Sequence, residues 1–297
     1  HACKHLGHTV GDGMIINKPG IQVVDLFCGG GGFTHGAIEA GAKVALAIDS
    51  WAAAVKVHRL NHPSTPCLCI ELGGDIAATA SLIRFYLDKD AHFHLHASPP
   101  CQALSNASSS SKGDGLALVD WFLELVSHMK PDSWSLENVL PLGKFLTERE
   151  VAFQVINSAN YGVPQMRRRV FAGEGWRPAA CSKIISVLDA LPYLDSHFTL
   201  NMVGAAGSLS RRAVSRDCAL NVPSKTVTNQ RPTIRLIIDS KVLKVRSLTI
   251  EETCTLQGWG KMKIPPTPSV ITKKEAWQII GNMVCPPVAK AIIEGIQ

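Results

Sequence analysis

Apolar and polar residues alternate along the first part of the chain in the order strand, helix, strand. Ile21 to Phe27 is an apolar run typical of a buried strand, and glycines and a helical stretch that ends at Gly41 follow it. Val44 to Ile48 predicts the next strand, and Ala52 to Leu60 predicts a helix that stops before Pro63. Strands and helices that alternate at this spacing predict a parallel sheet.

The same alternation continues through the middle of the chain. His92 to Ala97 predicts a strand, Leu116 to Met129 predicts a helix with one apolar face, and Trp134 to Glu137 predicts another strand. A shorter helix of about two turns, roughly eight residues, fits near Pro141 to Arg149 at 3.6 residues per turn. The parallel sheet is therefore expected to include at least four strands.

The pattern changes after Gly173. Between Gly173 and Val245, short strand-like runs such as Thr226 to Thr228 and Ile234 to Val245 lie among scattered Gly, Pro and Arg residues. Leu248 to Gln257 and Ala276 to Ile296 are again helical in pattern and are expected to pack on the first domain. The middle segment therefore predicts a second, smaller domain that is mostly β or irregular.

Length and composition agree with two domains of an α/β protein. The chain has 297 residues, of which 46% are hydrophobic and 18% are charged, which favours a compact globular protein over a disordered one. We predict an N-terminal arm at residues 1–20, a large domain at 21–172 and 246–297, and a small domain at 173–245.

Cysteine usage and hydropathy indicate where the protein works. Nine cysteines without a signal-peptide pattern favour reduced thiols in a reducing compartment over a disulfide framework. No apolar run approaches the roughly 18 residues of a membrane span. We therefore expect an intracellular protein, cytoplasmic or nuclear rather than secreted, that does not associate with a membrane.

The net charge of +6 is unevenly distributed. Residues 165–249 hold 14 basic and 5 acidic residues, a local charge of +9, whereas the rest of the chain sums to −3. A basic segment in a slightly acidic body is what a polyanion-binding protein would show, although a solubilising surface would give the same count.

A glycine-rich turn follows the first predicted strand. Asp25 to Phe33 includes four consecutive glycines, which let backbone amides approach a ligand at a helix N-terminus. Asp49 ends the second predicted strand, where a carboxylate can bind ribose hydroxyls, and Trp51 offers a ring for adenine stacking. The turn lacks a G-x-G-x-x-G arrangement, so S-adenosylmethionine (SAM) is favoured over a dinucleotide.

A thiol and a carboxylate follow two other predicted strands. Pro99 and Pro100 stiffen the turn before Cys101, whose thiol can act as a nucleophile where its surroundings favour the thiolate. The Ser- and Gly-rich run from Asn106 to Gly115 has the composition of a loop that closes over a substrate. Glu137 ends the next strand, so thiol and carboxylate are expected to face one crevice.

With these motifs in place, the chain resembles the DNA (cytosine-5)-methyltransferases. The resemblance implies a Rossmann-like, SAM-dependent methyltransferase domain with a small target-recognition domain, and double-stranded DNA as the substrate. We expect a monomer. The matching segments occur in the family's usual order: Asp25 to Phe33, Ser98 to Ser105, Leu136 to Val139, Ile156 to Phe171, Arg246 to Trp259 and Gly281 to Ile292.

The resemblance also implies roles for individual residues. Cys101 matches the nucleophile that adds to C6 of a flipped-out cytosine, and Glu137 matches the carboxylate at the cytosine N3 edge. The remaining catalytic matches are Gln165, Arg167, Arg169 and Asn282, the last as a support for the Pro-Cys loop. Cofactor contacts are implied at Phe27, Gly29, Gly31, Asp49, Trp51, Asp75, Ile76 and Pro99. DNA contacts are expected at Ser105, Arg211, Arg212, Lys225, Asn229 and Arg231.

Three features depart from the family pattern. Met283 stands where a small residue is usual, and Asp49 replaces the more usual Glu at the ribose position. The connection between Glu137 and Gln165 is also shorter than is common. None of these removes a group that the chemistry needs.

Two other functions are compatible with the motifs. A tRNA cytosine-5 methyltransferase resembles the DNA enzymes closely, but the Cys-Phe-Thr tripeptide of that branch is absent from this sequence. A catalytically silent DNA-binding relative would lack the nucleophile or the carboxylate, and both Cys101 and Glu137 are present.

No metal site is predicted from the sequence. Cys3, His5 and His8 lack the paired spacing of a zinc motif. The alternating residues His92, His94 and His96 share one face of a strand, where three ligands rarely complete a tetrahedral site.

Overall fold

The computed structural model describes residues 20–100, 114–202, 217–228, 231–238, 241–265 and 270–297. The N-terminal arm up to residue 19 lies outside these ranges. Five predicted site residues also lie outside them: Cys101, Ser105, Arg211, Arg212 and Asn229.

A seven-stranded sheet forms the centre of the larger domain. The strand order is β3-β2-β1-β4-β5-β8-β6. The first five strands in this order are parallel to one another, and β8 is antiparallel to both of its neighbours, β5 and β6. The strands are β1 Ile21–Leu26, β2 Lys43–Asp49, β3 Cys67–Cys69, β4 His92–Ala97, β5 Ser133–Asn138, β6 Phe153–Asn157 and β8 Arg168–Glu174. Helices α1 Gly32–Glu39, α2 Ala52–Asn61, α3 Ile76–Tyr86, α4 Asp114–Met129 and α5 Leu142–Glu148 connect them. The expected parallel sheet with crossover helices is confirmed.

Shorter strands follow the large sheet. A four-stranded antiparallel sheet has the order β10-β9-β12-β13, and β7 pairs with β11 in a separate parallel ribbon. Their bounds are β7 Gln165–Met166, β9 Phe198–Asn201, β10 Asp217–Ala219, β11 Ser224–Lys225, β12 Thr233–Ile238 and β13 Lys241–Ser247. The remaining helices are α6 Val187–Ala190, α7 Ile250–Leu256, α8 Lys273–Asn282 and α9 Pro286–Glu294.

Apolar side chains cover both faces of the large sheet. On one face, Leu26, Leu95 and Leu136 of the central strands pack with Phe122 of α4. On the other face, a second cluster joins strand residues such as Val23 to helices α1 and α9. A third cluster continues from α2, α7 and α8 into the small sheet, so these helices share apolar packing with that sheet.

Two predicted elements differ in the structure. Thr226 to Thr228 was expected to be a strand, which is wrong: the Val227 N–H donates to the side chain of Gln165 instead of to a neighbouring strand. The predicted run from Ile234 to Val245 folds back on itself as the hairpin of β12 and β13.

The predicted C-terminal helix is interrupted. Ala276 to Ile296 forms α8 and α9, separated at Met283 to Cys285 by extended backbone. Pro286 causes the break because a residue before proline avoids the helical region, whereas proline fits the first turn of a new helix. The strands at both domain junctions also extend two residues beyond the expected limits, because β8 ends at Glu174 and β13 ends at Ser247.

The three alternating histidines lie between β5 and α1. His94 accepts or donates hydrogen bonds with the hydroxyls of Ser133 and Ser135, and the His96 ring stacks on Phe33 at 3.4 Å between centroids. Burial lowers the pKa of His94 to about 3, so its imidazole is neutral.

In the described part of the chain, no helix has the length and apolar character needed to cross a membrane.

Candidate active site

The glycine-rich turn begins where β1 ends. Phe27 has a φ of 57° and Gly29 a φ of 53°, so the backbone reverses direction through a left-handed conformation that favours glycine. The Cys28 N–H donates to the Ile48 carbonyl at 3.0 Å, which holds the turn against β2. A Cβ added at Gly29 would meet no atom within 4 Å, so this part of the turn borders open space.

Asp49 connects the turn to the end of β2. Its carboxylate accepts hydrogen bonds from the Gly29 N–H at 2.8 Å and the Trp51 N–H at 2.7 Å. Burial raises the pKa of Asp49, although these two hydrogen bonds oppose the shift. The shorter Asp side chain is therefore bound to the glycine-rich turn itself, and a carboxylate oxygen retains capacity for a further donor.

The other cofactor candidates lie around the same edge of the sheet. Asp75 is exposed and caps α3 by accepting from the Ala78 N–H at 2.7 Å, and the neighbouring Ile76 is partly buried. Gly31 is the N-cap of α1, with a φ of 92°. At Gly32, an added Cβ would clash with the Met283 side chain, so this departure from the family pattern packs against the start of α1.

The turn after β4 is fastened on two sides. The Ser98 hydroxyl donates to the Phe27 carbonyl at 3.1 Å, and the Asn138 amide donates to the Pro99 carbonyl at 3.1 Å. Cys101 follows two residues after Pro99 but lies outside the described ranges. The described part of this turn thus connects the glycine-rich turn with the end of β5.

Glu137 and Arg169 form an ion pair at the end of β5. Arg169 Nε lies 3.3 Å from Glu137 Oε1, and the two side chains are 17% and 9% exposed. Burial raises the pKa of Glu137, and the positive charges of Arg169 and Arg167 partly offset this shift. A carboxyl group in this setting can keep a proton at a higher pH than usual and donate it to a substrate.

Arg167 and Gln165 hold the segment at β7 against residues 227 and 256–257. The Arg167 guanidinium donates to the Val227 carbonyl at 3.0 Å. Gln165 donates to the Leu256 carbonyl and to Gln257, and accepts from the Val227 N–H at 2.7 Å. Arg167 is also close enough to Glu137 for its positive charge to lower the pKa of that carboxyl group, and Arg169 forms the ion pair with it.

An open cavity of about 450 Å³ borders Arg169 of the ion pair. Its lining includes Val139 and Leu140, which follow β5, together with Arg168 and Thr226. The cavity therefore lies next to one member of the ion pair, and Glu137 does not line it.

The remaining predicted site residues lie in other parts of the structure. Lys225 is half-buried in β11, and exposed Arg231 lies 6.0 Å from the Trp277 ring. Asn282 is exposed at the end of α8, and Asn138, which the sequence did not single out, is the residue that contacts Pro99. Asn138 directly follows Glu137 in the Leu136 to Val139 motif, and this position could have identified it from the sequence.

The sequence of this chain is similar to those of known proteins. A family model described as C-5 cytosine-specific DNA methylase matches residues 21–173. Type II methyltransferase M.AplI of Arthrospira platensis is 27% identical over 322 residues, which cover 93% of this chain and 86% of that protein. DNA (cytosine-5)-methyltransferase 1 of Rattus norvegicus is 32% identical over 182 residues, 52% of this chain and 11% of that protein.

Solved structures agree with the fold. A methyltransferase of Entamoeba histolytica, EhMeth, superposes with a TM-score of 0.65 at 15% identity, covering 93% of this chain and 98% of that one. A DNMT2 mutant of Spodoptera frugiperda superposes with a TM-score of 0.62 at 16% identity, covering 91% and 97%. At these identities the likeness shows a shared mixed α/β fold.

Proposed function

The chain belongs to the C-5 cytosine-specific DNA methylase family, and we propose that it transfers a methyl group from SAM to C5 of cytosine in double-stranded DNA. The observation that carries the proposal is the largely enclosed Glu137–Arg169 pair, 3.3 Å apart, next to Asn138, whose amide donates to the Pro99 carbonyl. A proton donor, a cation and a thiol are the groups that this transfer requires.

The edge of the sheet suits SAM as the methyl donor. Gly29 borders open space, Asp49 holds a carboxylate beside it, and Asp75 and Ile76 offer a second acidic group and an apolar surface. We assign the sugar hydroxyls to Asp49 and the adenine edge to Asp75 and Ile76. When bound, SAM supplies a methyl group on a positively charged sulfur.

Cytosine C5 is a weak nucleophile, and we propose that Cys101 activates it. The Cys101 thiolate forms a bond to C6 while Glu137 gives its proton to N3, so the electron pair of the C5–C6 bond becomes available at C5. C5 then forms a bond to the methyl carbon while that carbon's bond to the SAM sulfur breaks, and the sulfur keeps the electron pair as a neutral thioether. Loss of the C5 proton to a base re-forms the C5–C6 double bond and expels the thiolate, and the N3 proton returns to Glu137.

Arg169 stabilises charge at the pyrimidine, in this proposal, because it lies beside Glu137 and borders the open cavity. The target cytosine must leave the base stack to reach that cavity, at a cost of roughly a few kcal/mol. Arg167 serves as a positioning residue instead, since its guanidinium binds the Val227 carbonyl.

The test is methyl transfer from isotopically labelled SAM to duplex DNA, with total tRNA as the parallel substrate. Bisulfite sequencing of DNA co-expressed with the protein reports the target site. Cys101→Ala should abolish transfer and leave SAM binding unchanged, whereas Cys181→Ser, at an exposed thiol far along the chain, should retain activity. Retained turnover in Cys101→Ala would contradict the mechanism, and methyl transfer to tRNA alone would mean that tRNA, not DNA, is the substrate.

A further inference from the structure

Three side chains with metal-binding atoms meet behind the glycine-rich turn. Cys28, His58 and Cys67 each offer one ligand atom, and these atoms lie within 4.8 Å of one another. All three residues are buried, with His58 fully enclosed. They come from the turn after β1, from α2 and from β3, so the fold, not a local sequence motif, brings them together.

Hydrogen bonds fix which nitrogen of His58 is available. The Thr34 hydroxyl donates to Asp25 Oδ2 at 2.7 Å, so its oxygen is free to accept the N–H of His58 Nε2 at 3.1 Å. That bond keeps the ring proton on Nε2 and leaves a lone pair on Nδ1. Nδ1 is buried and has no hydrogen-bond partner of ordinary geometry among the described residues. Ligating histidines typically donate their other N–H in this way.

The charge balance of the cluster favours a divalent ion. Two thiolates and a neutral imidazole around Zn²⁺ sum to zero, which suits a fully buried site, whereas a monovalent copper ion would leave a net negative charge. The Asp25 carboxylate supports this arrangement by accepting from the Thr34 hydroxyl, and it is not one of the ligand atoms that meet in the cluster.

We propose that Cys28, His58 and Cys67 bind a zinc ion. Cys28 is the residue between Phe27 and Gly29, so the ion connects the glycine-rich turn directly to α2 and to the edge strand β3. Its role is to hold the shape of that turn. It is separate from the catalytic pair, because Glu137 and Arg169 lie at the end of β5 on other strands.

Metal content of the full chain is the first test. Protein purified under reducing conditions without chelators should contain about one zinc ion per chain by mass spectrometry of the element. Replacement by Co²⁺ should give thiolate-to-metal absorption bands. Cys67→Ser should weaken metal binding at least about a hundredfold, since loss of a mere supporting partner costs 10- to 100-fold.

Two matched variants serve as controls. Cys69→Ser removes an exposed thiol two residues along the same strand and should keep the metal. Cys3→Ser combined with His5→Ala and His8→Ala removes the group of ligand types near residue 5 and should also keep the metal. Loss of the metal in either control, with retention in Cys67→Ser, would overturn the proposal.

X-ray absorption on the unmodified protein avoids any variant that fails to fold. The zinc edge should report two sulfur ligands at about 2.3 Å and a nitrogen at about 2.0 Å. One sulfur with two nitrogens would place the ion elsewhere, and a reduced protein without zinc or Co²⁺ binding would refute the site. A Cys28–Cys67 disulfide in freshly purified reduced protein would refute it as well.

Discussion

At Glu137, two opposing influences act on one carboxyl group. Burial favours the protonated form, whereas the charges of Arg169 and Arg167 favour the ionised form, and burial is the larger influence. A catalytic acid needs this balance, because it has to hold a proton in the free enzyme and release it to the substrate. Arg169 therefore limits how far the pKa can rise.

This balance predicts the pH dependence of methyl transfer. Because the pKa of Glu137 is raised, the fraction of protein with a protonated carboxyl falls only above the usual range of a glutamic acid. Activity at saturating substrate should therefore decline as pH increases through that raised pKa. Glu137→Gln keeps a hydrogen-bond donor for N3 but no transferable proton, so kcat should fall about 10²- to 10⁴-fold.

The control for that prediction is SAM affinity, measured by calorimetry, which Glu137→Gln should leave unchanged. The residual activity of the variant should also lose the alkaline decline. An alkaline limb that persists unaltered in the variant would mean that another group titrates, and Glu137 would not be the acid.

Residues adjacent to motifs could be predicted from sequence, whereas contacts between distant segments could not. Glu137 and Arg169 were identified because their motifs are specific, and the structure places them 3.3 Å apart. The Asn138–Pro99 hydrogen bond and the approach of His58 to Cys67 depend on strand order and helix placement. No local pattern in the sequence encodes such pairings.

At the scale of elements, the junction between β13 and α7 relies on one carboxylate. Glu252 accepts two hydrogen bonds from Arg246, at 2.6 and 2.7 Å, and one from the Thr249 N–H at 2.7 Å. Burial raises the pKa of Glu252, but these hydrogen bonds outweigh burial and hold it below its usual value. The side chain thus caps α7 and fixes the end of the hairpin.

Removing the cap should destabilise the chain measurably. Thr249→Ala loses the bond from the Glu252 N–H to the Thr249 hydroxyl, and the free energy of unfolding should fall by about 1 kcal/mol. Thr249→Ser keeps the hydroxyl and should differ little from the unmodified protein. Urea denaturation monitored by circular dichroism checks both. Equal midpoints for the Ala and Ser variants would show that the cap contributes nothing.

Element types were easier to predict than their interruptions. Strands β1, β2, β4 and β5 matched their apolar runs because parallel strands are buried on both faces, whereas β3 and α3 were not predicted. The predicted strand from Thr226 to Thr228 was wrong because the Gln165 side chain takes the Val227 N–H, a competitor that strand patterns ignore. Pro286 and Pro287 indicate the break after Met283. The prediction of one continuous helix rested on the apolar periodicity of the segment instead.

At the scale of the whole molecule, the ion pair joins the slightly acidic body, which contributes Glu137, to the basic segment, which contributes Arg169. Arg167, Arg168 and Arg169 begin that segment, and the structure uses at least two of them inside the protein. The number of cations left for DNA is therefore smaller than the local charge of +9. Of the predicted DNA contacts in the described ranges, Lys225 lies in β11 and Arg231 lies just before β12.

This charge distribution predicts how DNA binding responds to salt. Each lost phosphate contact should reduce the slope of log K against log salt concentration by about 0.9. We expect Arg231→Ala to weaken binding to different duplexes equally and to lower the slope by that amount, because Arg231 is an exposed cation of the basic segment and a predicted phosphate contact. Lys89→Ala is the matched control, since Lys89 is an exposed lysine just before β4, at the end of that strand opposite to Ser98 and Pro99. Fluorescence anisotropy at several salt concentrations measures both slopes. An Arg231→Ala slope equal to that of Lys89→Ala would remove Arg231 from the DNA interface, while a loss confined to one duplex sequence would make it a base-reading residue.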